Sequence, residues 1–199
     1  GGEQEIFPGR ELIEKFSLER IQRSGGAFNE EKLQWMNKAY LQNLAHEDKV
    51  HYFISALPEN VKALPQFSTE RASALVATAL ERVGNKRDIT EAAEAGEYDW
   101  AFSQPEVPKE LLQWKNDDSF EQALPRLEKA HELLQNADFS SAEAVKAAIW
   151  SYAEEVGKGE VLWPLRVALT GRERSPDPFT CAWVLGQDET LARIKTAIS

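Results

Sequence analysis

The stretch "VLWPLRVALTGRERSPDPF", residues 161–179, decides the fold. Its first half, Val161 to Leu169, is a run of β-branched and apolar residues, the one strand candidate in a chain whose other patterned segments read as helix. A single strand would leave its ladder groups without partners, and buried backbone N–H and C=O groups demand them. The run is therefore expected to be a buried loop or a short helix through Leu165 to Leu169, and the fold to be all-α. The second half is basic and irregular. Arg166, Arg172 and Arg174 gather around Gly171, and Pro176 and Pro178 fix the chain that follows.

Helical patterns lie on both sides of this element. Downstream, "DETLARIKTAI" (188–198) is a last amphipathic helix. Upstream, Ser140 and Glu143 form a capping box before "AVKAAIWSYAEEVG", which closes at Gly157. "SFEQALPRLEKAHELLQN" (119–136) carries Leu124, Leu127, Ala130, Leu133 and Leu134 at helical spacing, with Pro125 either early enough to be tolerated or a local kink. "VPKELLQWK" (107–115) reads as a short helix, and the Gln104 to Pro108 stretch is the best internal boundary.

In the first half, Ser68 is available as a cap for "TERASALVATALERV" (69–83), where Ala72, Leu75, Ala79 and Val83 form an apolar stripe and Gly84 is the expected stop. "RDITEAAEAGEYDWAF" (87–102) predicts a short helix from about residue 90 and then an aromatic turn. Asn29 can cap "EEKLQWMNKAYLQNL" (30–44), with Leu33, Met36, Tyr40 and Leu44 on one side. A short helix over 47–57 is expected to stop before Pro58, with a turn over Val61 to Leu64. Residues 11–24 place Leu12, Ile13, Phe16 and Ile21 together, Ser17 divides them into two short turns, and Gly25 and Gly26 end the segment.

The totals set limits. A chain of 199 residues, 42% of them hydrophobic, can fill a core without staples. One cysteine, Cys181, excludes an internal disulfide, so a reduced, cytoplasmic setting is expected. No window of eighteen apolar residues and no signal-peptide layout are present, so no membrane partner is expected. The formal net charge of −10 argues against nonspecific nucleic-acid binding over the whole surface and leaves room for a local footprint.

Most candidates for chemistry reduce to structure. His46 and His51 are five apart, on different helical faces, whereas zinc-binding pairs use a spacing of four. Adjacent carboxylates such as Asp117 with Asp118 or Glu154 with Glu155 diverge on a helix and cannot share a substrate. "SGGAF" (24–28) lacks the strand and helix start of a phosphate cradle, and Cys181 has no nearby histidine to activate it. Trp35, Trp114 and Trp150 sit in helical patterns and are expected in the core; Trp100 and Trp163, in irregular regions, could present a ring to a base. The basic clusters carry more. Arg82, Lys86 and Arg87 stand at a helix end, where they either complement the dipole or meet phosphates. Arg166, Arg172 and Arg174 either decorate a surface turn or offer guanidinium forks and free backbone groups to an unstacked base.

Two segments carry a family likeness. "FSLERIQRSGGAFNEEKLQWMN" (16–37) resembles the junction in bacterial-type glutamyl-tRNA synthetases where the stem-contact fold meets the anticodon-binding region, with Asn29 where the family has Asp. Lys32, Trp35 and Asn37 match that motif in an architectural role. "PLRVALTGRERSPDPF" (164–179), followed by Leu185 and Gly186, is similar to that family's P-L-R-x-A-L-T-G-x-x-x-S/T-P-x-x-F.

The resemblance implies two packed helical subdomains: residues 1–28 as the tail of the stem-contact region, 29–104 as the first anticodon-binding subdomain and 105–199 as the second. It implies a class I parent whose separate catalytic core uses ATP and Mg2+ to activate glutamate and charge glutamate tRNA. The H-I-G-H-like and K-M-S-K-S-like signatures of that core do not occur in this sequence. No catalysis and no cofactor are therefore expected of this chain. Its expected partners are the anticodon loop of glutamate tRNA and the parent's own N-terminal catalytic region.

By motif position, Arg166 corresponds to an arginine at the anticodon loop, and Ser175 with Pro176 to the pair bordering an anticodon base. Pro178 stands where the family often has a bulky apolar residue. Arg87 with Thr90 matches a further anticodon arginine, with Arg82 the alternative. Arg82, Lys86, Arg172 and Arg174 are candidate phosphate contacts. The competing expectation is a stand-alone acidic helical module that binds a protein through its tryptophans. Convergence of Arg87, Arg166, Arg172 and Arg174 on one face would favour RNA, and scattered arginines the module.

Overall fold

The computed structural model describes residues 6, 7, 9–20 and 29–199. The expected stop at Gly25 and Gly26, the "SGGAF" turn and Ile21 lie outside the described residues. Among the described residues there are twelve α-helices and no strand, so the all-α expectation holds.

Helix α1 (Gly9–Lys15) is separated from a single 3₁₀ turn (Leu18–Arg20) at Ser17, the division expected there. Asn29 caps α2 (Glu30–Asn43), its side-chain oxygen accepting the Lys32 N–H at 2.9 Å. Next come α3 (His46–Ala56), which ends before Pro58, and the single turn α4 (Glu59–Lys62). Ser68 caps α5 (Thr69–Leu80) by accepting from the Arg71 N–H at 3.2 Å. This helix stops four residues before the expected Gly84, and α6 (Lys86–Glu94) begins two residues after it. Asn85 accepts the Asp88 N–H at 3.1 Å, and Asp88 in turn accepts the Gly84 N–H at 2.7 Å. The short α7 (Asp99–Phe102) completes the first half.

Beyond an extended link over 104–108 come two 3₁₀ turns, Lys109–Leu112 and Phe120–Ala123. The second leads into α8 (Leu124–Leu134), whose Pro125 falls in the first turn where its missing N–H costs nothing. The cap of α9 (Ala142–Val156) is Ser141, which accepts from the Ala144 N–H at 3.1 Å. Ser140, the expected cap, instead donates its hydroxyl to Asp138.

The Val161–Leu169 run is neither strand nor loop, and the short helix expected over Leu165–Leu169 is part of a longer one. Residues 158–170 form one continuous helix, α10 (Lys158–Thr170), with Pro164 buried inside it. The proline deletes the hydrogen bond to the carbonyl four residues earlier, and the helix persists because its neighbours enclose it. It packs against α8, α9, α11 (Pro178–Leu185) and α12 (Gln187–Ile198).

Buried side chains from both sides of Pro105 join in one core, including Phe53, Leu75 and Phe102 with Leu127, Ile149 and Leu165. Each such side chain contributes about 1.5–3 kcal/mol on burial. Aromatic pairs reinforce the first half, Phe53 edge-on to Tyr98 at 5.3 Å and Phe67 tilted against Phe102 at 5.0 Å between ring centres.

The tryptophans depart from expectation in both directions. Trp35 is 51% exposed rather than packed, because α2 meets the rest of the fold chiefly through α5. Trp100 is 2% exposed, too little to stack its ring on a base. Trp163 leans on Trp114 at 5.7 Å and donates its indole N–H to the Leu111 carbonyl at 2.8 Å, a structural use of both its face and its edge. None of the described helices is long and apolar enough to cross a membrane.

Candidate nucleic-acid interface

The basic loop is built by its two flanking helices. Helix α10 ends at Gly171, which is left-handed (φ 66°, ψ 14°) and donates its N–H to the Val167 carbonyl at 2.7 Å. Buried Thr170 ties the exit down, donating its hydroxyl to the Arg166 carbonyl at 2.8 Å while accepting the Arg172 N–H at 3.3 Å. At the far end Asp177 caps α11, accepting the N–H groups of Phe179 and Thr180 at 3.0 Å each and the Thr180 hydroxyl at 2.7 Å. Between these anchors, Ser175 donates its hydroxyl to the Pro176 carbonyl at 2.7 Å. Cys181 lies beneath, its Sγ 3.7 Å from the Ser175 hydroxyl oxygen, with burial pushing its thiol up to about 12. It is a core residue, not a nucleophile.

This loop faces the α5–α6 turn across a cleft of about 710 Å³. Arg82 stands on one wall and Arg172 and Arg174 on the other, with Ser175 and Pro176 at the loop's corner. Leu75, Ala79 and Trp100 supply apolar lining. Three carboxylates, Asp88, Glu91 and Glu97, interleave with the arginines. Such a mixture suits base edges better than a run of phosphates: guanidinium forks donate, carboxylates accept from exocyclic amines, and the negative charges oppose backbone phosphates. Tyr98 also borders the cleft, with burial pushing its phenol up to about 12, so it stays a neutral hydroxyl. A second groove of about 470 Å³, flanked by Trp35 and Lys38, joins the first at Arg82, Val83 and Asp88.

The expected site residues divide. Arg82, Arg172, Arg174, Ser175 and Pro176 meet at the cleft although they come from segments about 90 positions apart. Arg87 does not line it. Its side chain is 85% exposed and pairs with Glu91 at 2.7 Å. Thr90, its expected companion, donates to the Ala56 carbonyl at 2.8 Å and so fastens α6 to α3. Lys86 lies over the Tyr52 ring at 5.2 Å. Pro178 is buried as the first residue of α11, so it fixes the helix start and offers no apolar surface. Arg166 is half-buried behind the loop, close enough for its charge to favour the Cys181 thiolate, and its buried Nε has no hydrogen-bond partner in the structure. Glu91, Glu97 and Tyr98 were not singled out by sequence, because nothing local marks an acidic or tyrosyl side chain as facing a cleft. No group of three or more His, Cys, Asp or Glu side chains among the described residues is placed to hold a metal ion.

A family model described as an anticodon binding domain matches residues 56–198, which hold both walls of this cleft. The chain belongs to that family. It is 32% identical over its full length to a glutamate–tRNA ligase of Clostridium botulinum (strain Loch Maree / Type A3), covering 40% of that protein. To the glutamate–tRNA ligase of Syntrophobacter fumaroxidans it is 34% identical, over 99% of this chain and 41% of that one. The crystal structure of a glutamate tRNA ligase from Elizabethkingia meningosepticum matches with a TM-score of 0.69 at 30% identity, over 95% of this chain and 36% of that one. The chain thus spans about 40% of the length of the curated relatives it matches. The likeness expected from the two motifs extends along the whole chain.

Proposed function

We propose that this anticodon binding domain reads the anticodon loop of glutamate tRNA, as one part of a glutamate–tRNA ligase whose ATP-dependent chemistry resides in a catalytic region outside this chain. The observation that carries the reading is the cleft, where Arg82 meets Arg172, Arg174 and the Ser175–Pro176 corner. Of the four arginines whose convergence would favour RNA, Arg172 and Arg174 line the cleft and Arg87 and Arg166 do not; Arg82 joins the first two there, and this partial gathering supports RNA over an acidic protein-interaction module. Residues 29–104 and 105–199 act as two helical subdomains, each giving one wall.

The work is recognition, not bond making. Anticodon nucleotides splay from their stack, and a base edge meets a guanidinium fork while backbone groups at the rigid Ser175–Pro176 corner complete the selection. Arg166 is half-buried behind the loop, and the donor it offers to a base edge is the part of its guanidinium left exposed, not its buried Nε. A wrong base leaves that donor and its neighbours unpaired, which is the source of discrimination. Arg87 and Lys86 stand on the outer lip of the α6 wall as candidate backbone contacts, and Pro178 acts through the helix start it fixes.

The test is binding of the purified chain to glutamate tRNA and to anticodon-swapped versions. Arg166→Ala is expected to weaken the cognate tRNA at least about tenfold, one charge-assisted hydrogen bond's worth, with circular dichroism unchanged. Equal affinity of wild type for all anticodons would overturn the reading.

A further inference from the structure

Arg193 is the largest fully buried side chain of the described residues, at 1% exposure, and it lies on α12, which gives no residue to the cleft lining. Its guanidinium has five N–H donors, and each finds an acceptor. Nη1 donates to the carbonyls of Trp100 and Leu169, both at 2.7 Å. Nη2 donates to the Gln66 amide oxygen at 2.9 Å and the Ser103 carbonyl at 2.8 Å. Nε donates to Glu189 at 2.7 Å. A second arginine, Arg71, shares the hub, donating to the same Gln66 oxygen at 2.9 Å, to the Ala101 carbonyl at 3.1 Å and to the Leu185 carbonyl at 3.5 Å.

The acceptors are not scattered over the fold. Trp100, Ala101 and Ser103 are the backbone of α7 and its exit, and Trp100 itself lines the cleft. Leu169 is the penultimate residue of α10, two positions before Gly171 and the loop that forms the opposite wall. One planar, rigid fork therefore grips both walls by their main chains, with the two Nη1 acceptors bonded to the same nitrogen. An apolar side chain could fill the same space, but only a guanidinium sets the separation of two carbonyls on different segments.

We propose that Arg193 is a positioning residue of the anticodon cleft: through its bonds to the Trp100 and Leu169 carbonyls it fixes the spacing of the two walls, and with it the selectivity among bases. The proposal rests on the functional reading above for its consequence in RNA selection, whereas its geometric part stands without RNA. Lysine at this position keeps the charge and reaches one wall at a time. Gln66→Ala removes the acceptor shared by both arginines and leaves the apolar core intact.

Two measurements on Arg193→Lys and Gln66→Ala test it. In hydrogen–deuterium exchange without RNA, segments 97–103 and 171–179 are expected to exchange at least about tenfold faster in Arg193→Lys, while 145–153 of α9 stays as in wild type. In tRNA binding, the ratio of cognate to anticodon-swapped affinity is expected to fall about tenfold, with Gln66→Ala intermediate in both readouts. Acceleration spread evenly over all segments, or equal weakening for all anticodons, would make Arg193 a general fold anchor and overturn the proposal, as would no change. If wild type fails to discriminate anticodons at all, the functional reading fails, and the exchange of the two wall segments alone decides the geometric claim.

Discussion

Gly171 and Glu106 approach so closely that no side chain fits between them: a Cβ on Gly171 would run into the Glu106 carbonyl oxygen and stand 3.1 Å from the Pro105 Cβ. The loop that carries Arg172 and Arg174 is thereby pinned against the extended link joining the two halves of the chain. Gly171 also holds a left-handed backbone (φ 66°), which costs other residues about 1–2 kcal/mol before any clash. Gly171→Ala is expected to destabilise the fold by about 2–4 kcal/mol, the strain and the collision adding. Urea denaturation measures it, and a loss of only about 1–2 kcal/mol, the backbone strain alone, would mean that the link simply moves aside.

Asp177 secures the other end of the same loop with three accepted hydrogen bonds. Asp177→Ala should cost about 1–2 kcal/mol, the usual value of an N-cap, and Asp177→Asn about half of that because its oxygen still accepts. The check is the thermal midpoint of both variants. Equal losses would assign the effect to charge at the helix N-terminus instead of to the cap.

The features that were legible in the sequence are those whose cause is local. Asn29 and Ser68 each make the cap their spacing implied, and Ser17 divides its segment. Ser140 and Ser141 are chemically equivalent neighbours, so the choice between them rests on a backbone turn that the sequence does not display. Only the Leu165–Leu169 part of helix α10 is legible, as one of two alternatives, because five of its last six residues are buried and no polar stripe sets a 3.6-residue period. Within the site, Arg172, Arg174, Ser175 and Pro176 were legible from one contiguous motif. Arg193 was not, since it occupies an ordinary position of an amphipathic helix and its acceptors other than Glu189 lie 24 to 127 residues away.

Glu189 makes the hub sensitive to acid. Burial alone would raise its pKa, but hydrogen bonds from Arg193 and Gln66 and the charges of Arg193 and Arg71 outweigh that and hold it below the ordinary glutamate range. A carboxylate whose pKa falls on folding stabilises the native state fully above its unfolded value of about 4.3 and ceases to do so as pH drops through the lower folded value. Glu189→Gln should therefore cost about 2 kcal/mol at neutral pH, less than the about 3–5 kcal/mol of a fully buried pair because the side chain retains some exposure. The gap between wild type and variant should close in acid, where wild-type Glu189 is protonated too. Urea midpoints across pH give the answer, and a gap that stays constant with pH would remove Glu189 from the acid response.

Arg166 and Arg174 should fail in different ways when changed. Arg174 is exposed on the loop wall, without a carboxylate partner among the described residues, and is suited to a phosphate. A phosphate contact on a single strand releases counterions, so its loss lowers the slope of log affinity against log salt by about 0.7. Arg174→Gln is therefore expected to weaken cognate and anticodon-swapped tRNAs by the same factor, roughly three- to tenfold at low salt, and to flatten the salt dependence by that amount. Arg166→Ala should instead narrow the gap between cognate and swapped tRNAs, because the exposed part of its guanidinium is assigned to a base edge, which carries sequence information, and not to a phosphate, which carries none. Fluorescence anisotropy titrations of both variants against both RNAs over a salt series separate the two roles. If Arg174→Gln changed selectivity while leaving the slope intact, Arg174 would belong among the base readers, and the carboxylates beside it would be what keeps phosphates out of the cleft.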